Sequence, residues 1–268
     1  LVTLALPPKT ISMDEAKEQT KEFPNTHLFE KEEDMLQAFL DLIEDADILT
    51  GWNSEGYDIP YTVNRVSRVL SKDDTRRFCL WQQLPKKREY EKYGRKLETY
   101  DLVGRVHLDS LELYRKYTYE ERHTYRLDAI GETEIGEKKT VYEGTLDELY
   151  KNDFKTFIEY NRQDVALLDK LDQKLKFIDL SNELAHANTV LLQTTMGAVA
   201  VTEQAIINEA HGRGLQVPNR VKREPGTTSA AGAYVAFPKK GLHKWIGSMD
   251  LNSLYPSVIR ALNMDPAT

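Results

Sequence analysis

Between residues 31 and 46, Met35, Leu36, Phe39, Leu40 and Ile43 recur at the spacing of a helix with one buried stripe. The stretch "DILTGW" at 47–52 is short and apolar and predicts a buried strand, followed by a Gly-, Asn- and Ser-rich turn. Val63, Val66 and Leu70 mark a second helix, and "RVHLDS" at 105–110 predicts a second strand. Residues 145–176 predict a helix in two pieces, and 180–213 one long helix ended by Gly212 and Gly214. The segment "VPNRVKREPGTTSAAG" at 217–232 predicts a linker, and "AYVAFP" and "KWIGSMD" after it are strand-like. The pattern implies an α/β unit over 1–180, a helical connection and linker over 181–232, and a β-rich start from 233 to 268. There is no internal repeat.

Composition narrows the class. Hydrophobic residues are 40% and charged residues 29% of 268, as in ordinary globular proteins. Cys79 is the single cysteine, which excludes an internal disulfide and points to a reducing, cytoplasmic compartment. No apolar run approaches the ~20 residues that span a bilayer, and no signal peptide is read, so no membrane partner is expected. The chain opens on Leu rather than Met, and a piece of a longer protein is expected. A net charge of −7 argues against nonspecific binding to polyanions. Locally, "PKKREYEKYGRK" at 85–96 sets six Lys or Arg against two Glu, with Tyr90 and Tyr93 between them and Gly94 to turn the chain. It reads either as a solvated hairpin or as a basic hairpin touching a phosphate backbone.

Chemistry concentrates in three stretches. In "GSMDLNSLYPSVIR" at 247–260, Pro256 cannot continue a central strand. A strand ending near Asp250, a tight turn and a helix resuming at about Ser257 are expected, a corner able to hold a metal-bound phosphate. In "TGWNSEGYDIPY" at 50–61, Asp58 follows a turn built by Gly56 and could be a plain helix cap. In "EYNRQDVALLDKLD" at 159–172, Tyr160 and Asp164 stand one turn apart on one helix face, while Asp169 and Asp172 read as surface residues. Phosphodiester hydrolysis with two hard cations about 3.5–4 Å apart draws carboxylates from separate elements and a further group to align water. Asp58 and Asp164 suit the first need, Tyr160 the second, and Asn53 could bond the strand being cut.

These stretches resemble one family. "GWNSEGYD" and "YNRQD" look like the second and third exonuclease motifs of family B DNA polymerases, "DLNSLYPS" looks like their polymerase motif A, and "AAGAYVAFP" resembles the motif linking the two parts. The style is closest to the replicative enzymes of large tailed phages. The resemblance implies a ribonuclease-H-like 3′→5′ exonuclease domain, partial and lacking its first strands, followed by the start of a polymerase palm domain. It implies template-directed DNA synthesis with proofreading, and two Mg²⁺ ions per active site, replaceable by Mn²⁺. Primer–template DNA, deoxynucleoside triphosphates, a sliding clamp and other replisome proteins are the implied partners.

By the same resemblance Asp58 and Asp164 bind the exonuclease metals, Tyr160 positions the nucleophile and Asn53 contacts the single-stranded end. Asp250 holds the polymerase metals with the Leu251 carbonyl, the N–H groups of Ser253, Leu254 and Tyr255 cradle the triphosphate, and the Tyr255 ring excludes a 2′-hydroxyl. Tyr93, Arg95 and Lys96 of the hairpin touch DNA and help move the primer end, and Gly232 and Ala233 touch template. The family's first exonuclease motif, Asp-x-Glu on a strand, is missing, since "MDEAKE" at 13–18 has neither its spacing nor its context. The second polymerase Asp is missing too, so the 268 residues alone are expected to have neither activity. A free-standing exonuclease leaves 217–268 without purpose, and a noncatalytic DNA-binding module would need a partner chain with the missing acids.

Overall fold

Most elements begin where the sequence supplies a cap or a turn. The computed structural model describes residues 1–92, 94–137, 144–219 and 232–264, in two compact units, Leu1–Pro218 and Asn219–Thr268. In the first unit β1 (Thr3–Ala5) leads into α1 (Met13–Thr20), whose cap Ser12 accepts from the Glu15 N–H at 3.2 Å, so "MDEAKE" is helical. β2 (Thr26–Leu28) then runs parallel to β1. α2 (Glu32–Ile43) buries Leu36, Leu40 and Ile43, the stripe that its spacing predicts. β3 (Ile48–Gly51) follows, and α3 (Asp58–Val69) turns Ile59, Val63 and Val66 onto the same core.

A 3-10 turn, Asp74–Phe78, places Phe78 in that core. The hairpin β4 (Lys86–Lys92) and β5 (Arg95–Asp101) is longer than the expected 85–96. Its register runs from Lys86 opposite Asp101 to Lys92 opposite Arg95, and Gly94 between the strands takes φ +70°. A positive φ at that position suits a turn that follows the strand twist, and glycine adopts it without strain. β6 (Val106–Asp109) is parallel to β3, with Ile48 opposite Val106 and Gly51 opposite Asp109.

α4 (Ser110–Tyr117) and α5 (Leu127–Ile135) form a second core with the C-terminal half of a later helix. The expected two-piece helix is α6 (Leu146–Asn152), opened by a Thr145–Glu148 capping box, and α7 (Phe154–Leu175). α7 is a shared spine: Phe154 and Ile158 pack beside β1 and α1, while Leu167 and Leu171 pack among Tyr114, Leu127 and Ile130. Gly131 gives α5 its close approach, for a Cβ there would stand 2.7 Å from Leu167 Cδ1.

The single helix expected over 180–213 is instead α8 (Phe177–Asn188), a 3-10 turn at Leu192–Met196, and α9 (Ala198–Gly212). Thr189 turns left-handed at φ 51°, and the Val190 N–H closes back on the Ala185 carbonyl at 3.0 Å, which ends α8. Asn208 of α9 fixes the break by donating to the Asn188 carbonyl at 3.0 Å and to Thr189 Oγ1 at 2.8 Å. The end of α9 falls where Gly212 and Gly214 place it.

The second unit has one helix among its described residues, α10 (Leu254–Ala261). The strands expected at "AYVAFP" and "KWIGSMD" are absent from its described residues. A strand needs a neighbour to take its N–H and C=O groups and a surface to cover one face. Here Phe237 and Met249 are more than nine-tenths exposed and no paired strand lies beside them among the described residues. Most of the linker, 220–231, lies outside the described residues.

Leu167→Ala should lower the unfolding free energy of the first unit by about 2–5 kcal/mol, read from denaturant midpoints. Gly131→Ala should cost less in the Leu167→Ala background than alone, because the Leu167 methyls are what its new Cβ would strike. Additive losses would refute that packing.

Candidate functional site

The register of β3 and β6 sets Gly51 beside Asp109, so the loop after β3 leaves the sheet next to an aspartate. Asp109 is 6% exposed, and its carboxylate accepts three main-chain N–H groups. Oδ1 takes Asn53 at 3.0 Å and Leu111 at 2.9 Å, and Oδ2 takes Glu55 at 3.0 Å. One side chain thus caps α4 and holds the loop that carries Asn53 and leads to Asp58. Asn53 sits at φ 61°, a left-handed position that asparagine tolerates. Ser54 is buried below it, its hydroxyl donating to the Gly51 carbonyl at 3.1 Å and meeting His107 Nε2 at 2.9 Å. With the hydroxyl proton committed to Gly51, the His107 ring donates to Ser54.

Burial pushes the Asp109 carboxyl up from the ordinary aspartate value, against the three N–H groups that pull it down. Asp58 is the first residue of α3 rather than its cap, which is Tyr57 and makes no side-chain capping bond. Although Asp58 is exposed as a residue, burial of its carboxyl is the largest cause of its raised pKa, and the charge of Asp109 adds to the rise. Burial thus raises two carboxyls, Asp109 at the end of β6 and Asp58 at the start of α3. Burial likewise holds the His107 ring below the ordinary histidine value, opposed by Asp109 and Glu55.

Tyr160 and Asp164 lie on α7, each half-buried, and with Leu167 and Leu171 they form one stripe at helical spacing. Oδ1 of Asp164 is shielded from solvent. Carboxylate oxygens are the right donors for a hard divalent ion, and the raised Asp58 carboxyl is a group that such an ion would relieve. The donors nevertheless fall short of a cage: among the described residues no three His, Cys, Asp or Glu side chains are grouped to hold a metal.

The hairpin holds Arg95 opposite Lys92, and exposed Lys96 opposite Glu91, while Tyr93 lies outside the described residues. In the second unit Gly232 and Ala233 are exposed, as are Asp250, Leu251, Ser253, Leu254 and Tyr255. α10 starts at Leu254, three residues before the expected Ser257, because Pro256 falls in the first helical turn, where its missing N–H has no partner to lose. Ser253 caps it from a left-handed φ of 53° and its carbonyl accepts the Ser257 N–H at 2.9 Å. Asp109 and His107 escaped the reading of the sequence, although "HLDS" places an Asp between an apolar strand and a helix just as "SMDLNS" was read to do.

Residues 3–130 match the model of the exonuclease domain of DNA polymerase family B, and residues 188–268 match the model of DNA polymerase family B. The chain belongs to the family B DNA polymerases. It carries the exonuclease domain of that family, with the ribonuclease-H-like fold, followed by the start of the polymerase domain. It is 32% identical over 245 residues to the DNA-directed DNA polymerase of Enterobacteria phage T4, covering 90% of this chain and 27% of that protein. It is 30% identical over 242 residues to the DNA-directed DNA polymerase of Escherichia phage RB69, covering 90% of this chain and 26% of that one. The DNA polymerase delta catalytic subunit of Bos taurus is 29% identical over 258 residues, 88% of this chain and 22% of that protein. The family B chain therefore spans about a quarter of the length of these curated relatives. No helix among its described residues is long and apolar enough to cross a membrane.

Because burial lowers the His107 pKa in the fold, the unfolded chain takes up its proton first as the pH falls. The stability tied to this group is present above about pH 6.5 and lost below it. His107→Gln, which can still donate to Ser54, should flatten the fall in denaturation midpoint between about pH 7 and pH 5. An unchanged slope would assign that loss to other groups.

Proposed function

We propose that this chain supplies the proofreading site and the first polymerase motif of a template-directed DNA polymerase. The observation that carries the reading is the order of the two family matches on one chain, exonuclease domain first, together with an Asp109-pinned loop that delivers Asn53 and Asp58 at the ends of two parallel strands. Active sites of open α/β sheets form at such strand ends.

In the exonuclease, Asp58 and Asp164 are the two carboxylates that this chain contributes to the metal pair, Mg²⁺ or Mn²⁺. When bound, the ions supply Lewis acidity and a water nucleophile. Tyr160, one turn from Asp164, orients that water, and Asn53 bonds the single-stranded 3′ end. In the polymerase, Asp250 and the Leu251 carbonyl serve the metals of nucleotidyl transfer. The first-turn N–H groups of α10 and that of Ser253 receive the triphosphate of an incoming deoxynucleotide, and the Tyr255 ring fills the space of a 2′-hydroxyl. The hairpin, with Tyr93, Arg95 and Lys96, and the stretch with Gly232 and Ala233 contact primer–template DNA. A sliding clamp and replisome proteins are the further partners, in the cytoplasm of the cell that replicates the DNA. The chain alone, with two exonuclease carboxylates and one for the polymerase, carries neither activity.

In a polymerase containing this sequence, Asp58→Ala and Asp164→Ala should each lower degradation of single-stranded DNA by at least about a hundredfold while primer extension continues. Degradation at the original rate would defeat the assignment. In the same polymerase Tyr255→Ala should raise ribonucleotide incorporation by about tenfold or more, measured as alkali-sensitive product. Unchanged sugar selection would remove Tyr255 from the role.

A further inference from the structure

Glu55 stands in the middle of the loop between Asn53 and Asp58, and three separate elements hold it. Its N–H is given to Asp109 Oδ2 at the end of β6, at 3.0 Å. Its carbonyl receives the Thr99 hydroxyl from β5 at 2.9 Å. Its carboxylate receives the Arg88 guanidinium from β4. Thr99 is 1% exposed, a buried hydroxyl in a strand whose hairpin is largely solvated. Arg88 is itself fixed by Asp101 across the hairpin at 3.0 Å, and the Tyr100 hydroxyl reaches Asn64 of α3 at 2.8 Å. The base of the hairpin is therefore bonded to the loop before Asp58 and to the helix that Asp58 begins.

We propose that Glu55 is a clamp through which the hairpin positions the Asn53–Asp58 loop, with Thr99 and Arg88 as positioning residues for the nuclease. This rests on the reading of Asn53 and Asp58 as nuclease residues. A buried hydroxyl bonded to a carbonyl gives direction, and the ion pair adds a second anchor, so hairpin and loop move as one piece. A force on the hairpin tip then reaches the nuclease loop without passing through the hydrophobic core.

The test uses a polymerase containing this sequence and a single-stranded oligonucleotide, so strand separation plays no part. Thr99→Val should lower kcat for degradation by about threefold to tenfold with KM within about twofold, and Thr99→Ser should restore it. The Glu55→Gln/Arg88→Ala double variant should be no worse than the more damaged single variant. In the same preparations Thr99→Val should speed hydrogen exchange of the peptide covering residues 50–58 by about threefold to tenfold, with the melting temperature unchanged outside error. Unchanged exchange, an effect on KM alone, or failure of Thr99→Ser to rescue overturns the clamp. Asp58→Ala in the same assay separates the two ideas, since surviving degradation there defeats the nuclease reading whatever Thr99 does.

Discussion

The buried carboxylate of Asp109, receiving N–H groups from Asn53, Glu55 and Leu111, is the contact on which the described site depends. It satisfies donors that a tight loop and a helix start cannot satisfy themselves. Without an acceptor there, three amides would be left without their partner beside the apolar end of the β3–β6 pair, at a cost of about 1–3 kcal/mol for each one buried. The contact also fixes direction. Because Gly51 and Asp109 share a register position, the loop leaves the sheet beside Asp109, whose charge acts on Asp58 where α3 begins. Burial raises both carboxyl pKa values, and the charge of Asp109 adds to the rise at Asp58. A fold that needed only a cap could use Ser or Asn there and avoid the repulsion. Keeping the charge is a choice that favours a cationic neighbour.

α7 imposes the second constraint. Its two halves anchor in different cores, beside β1 and α1 at one end and beside α4 and α5 at the other. Tyr160 and Asp164 lie between these anchors, on the stripe that continues into Leu167 and Leu171. A polar pair on that stripe is held in place from both sides, and its position is set by packing that has nothing to do with its chemistry. Gly131 lets α5 close on Leu167, which tightens the same end. Rigid elements with polar interruptions of this kind suit side chains that must hold their geometry.

Elements whose own residues carry their signals were legible in the sequence. α2, β3, α3, β6 and α7 come from apolar spacing, and the hairpin turn from Gly94. Asp58, Asp164 and Tyr160 are ambiguous one by one, since an Asp at a helix start can be a plain cap, and gain meaning only when taken together and with the motif resemblance. The break between α8 and α9 was hidden because Asn208, twenty residues away, makes it. Asp109 was hidden for a similar reason, since its value lies in accepting from Asn53 and Glu55, more than fifty positions earlier. The strands read at "AYVAFP" and "KWIGSMD" failed in the opposite way. Their composition suits a sheet, but composition supplies no neighbour to pair with.

The hairpin shows why counting charges misleads. Read alone, 85–96 is a basic stretch beside a chain of net charge −7. Its strands extend to Asp101, however, and the added residues bring Glu98 and Asp101 against its cations. Lys87 pairs with Glu98 at 2.7 Å, and Arg88 pairs with Asp101 and Glu55. Exposed pairs of this sort are each worth only about 0–1 kcal/mol, so they contribute little to stability. What they change is availability, because a cation engaged by a carboxylate attracts phosphate less strongly. The base of the hairpin is thus closer to neutral than its sequence suggests. That base is also where the hairpin is bonded to the rest of the fold. Thr99, the most buried polar residue of the hairpin, sits at this foot and reaches into the loop before Asp58.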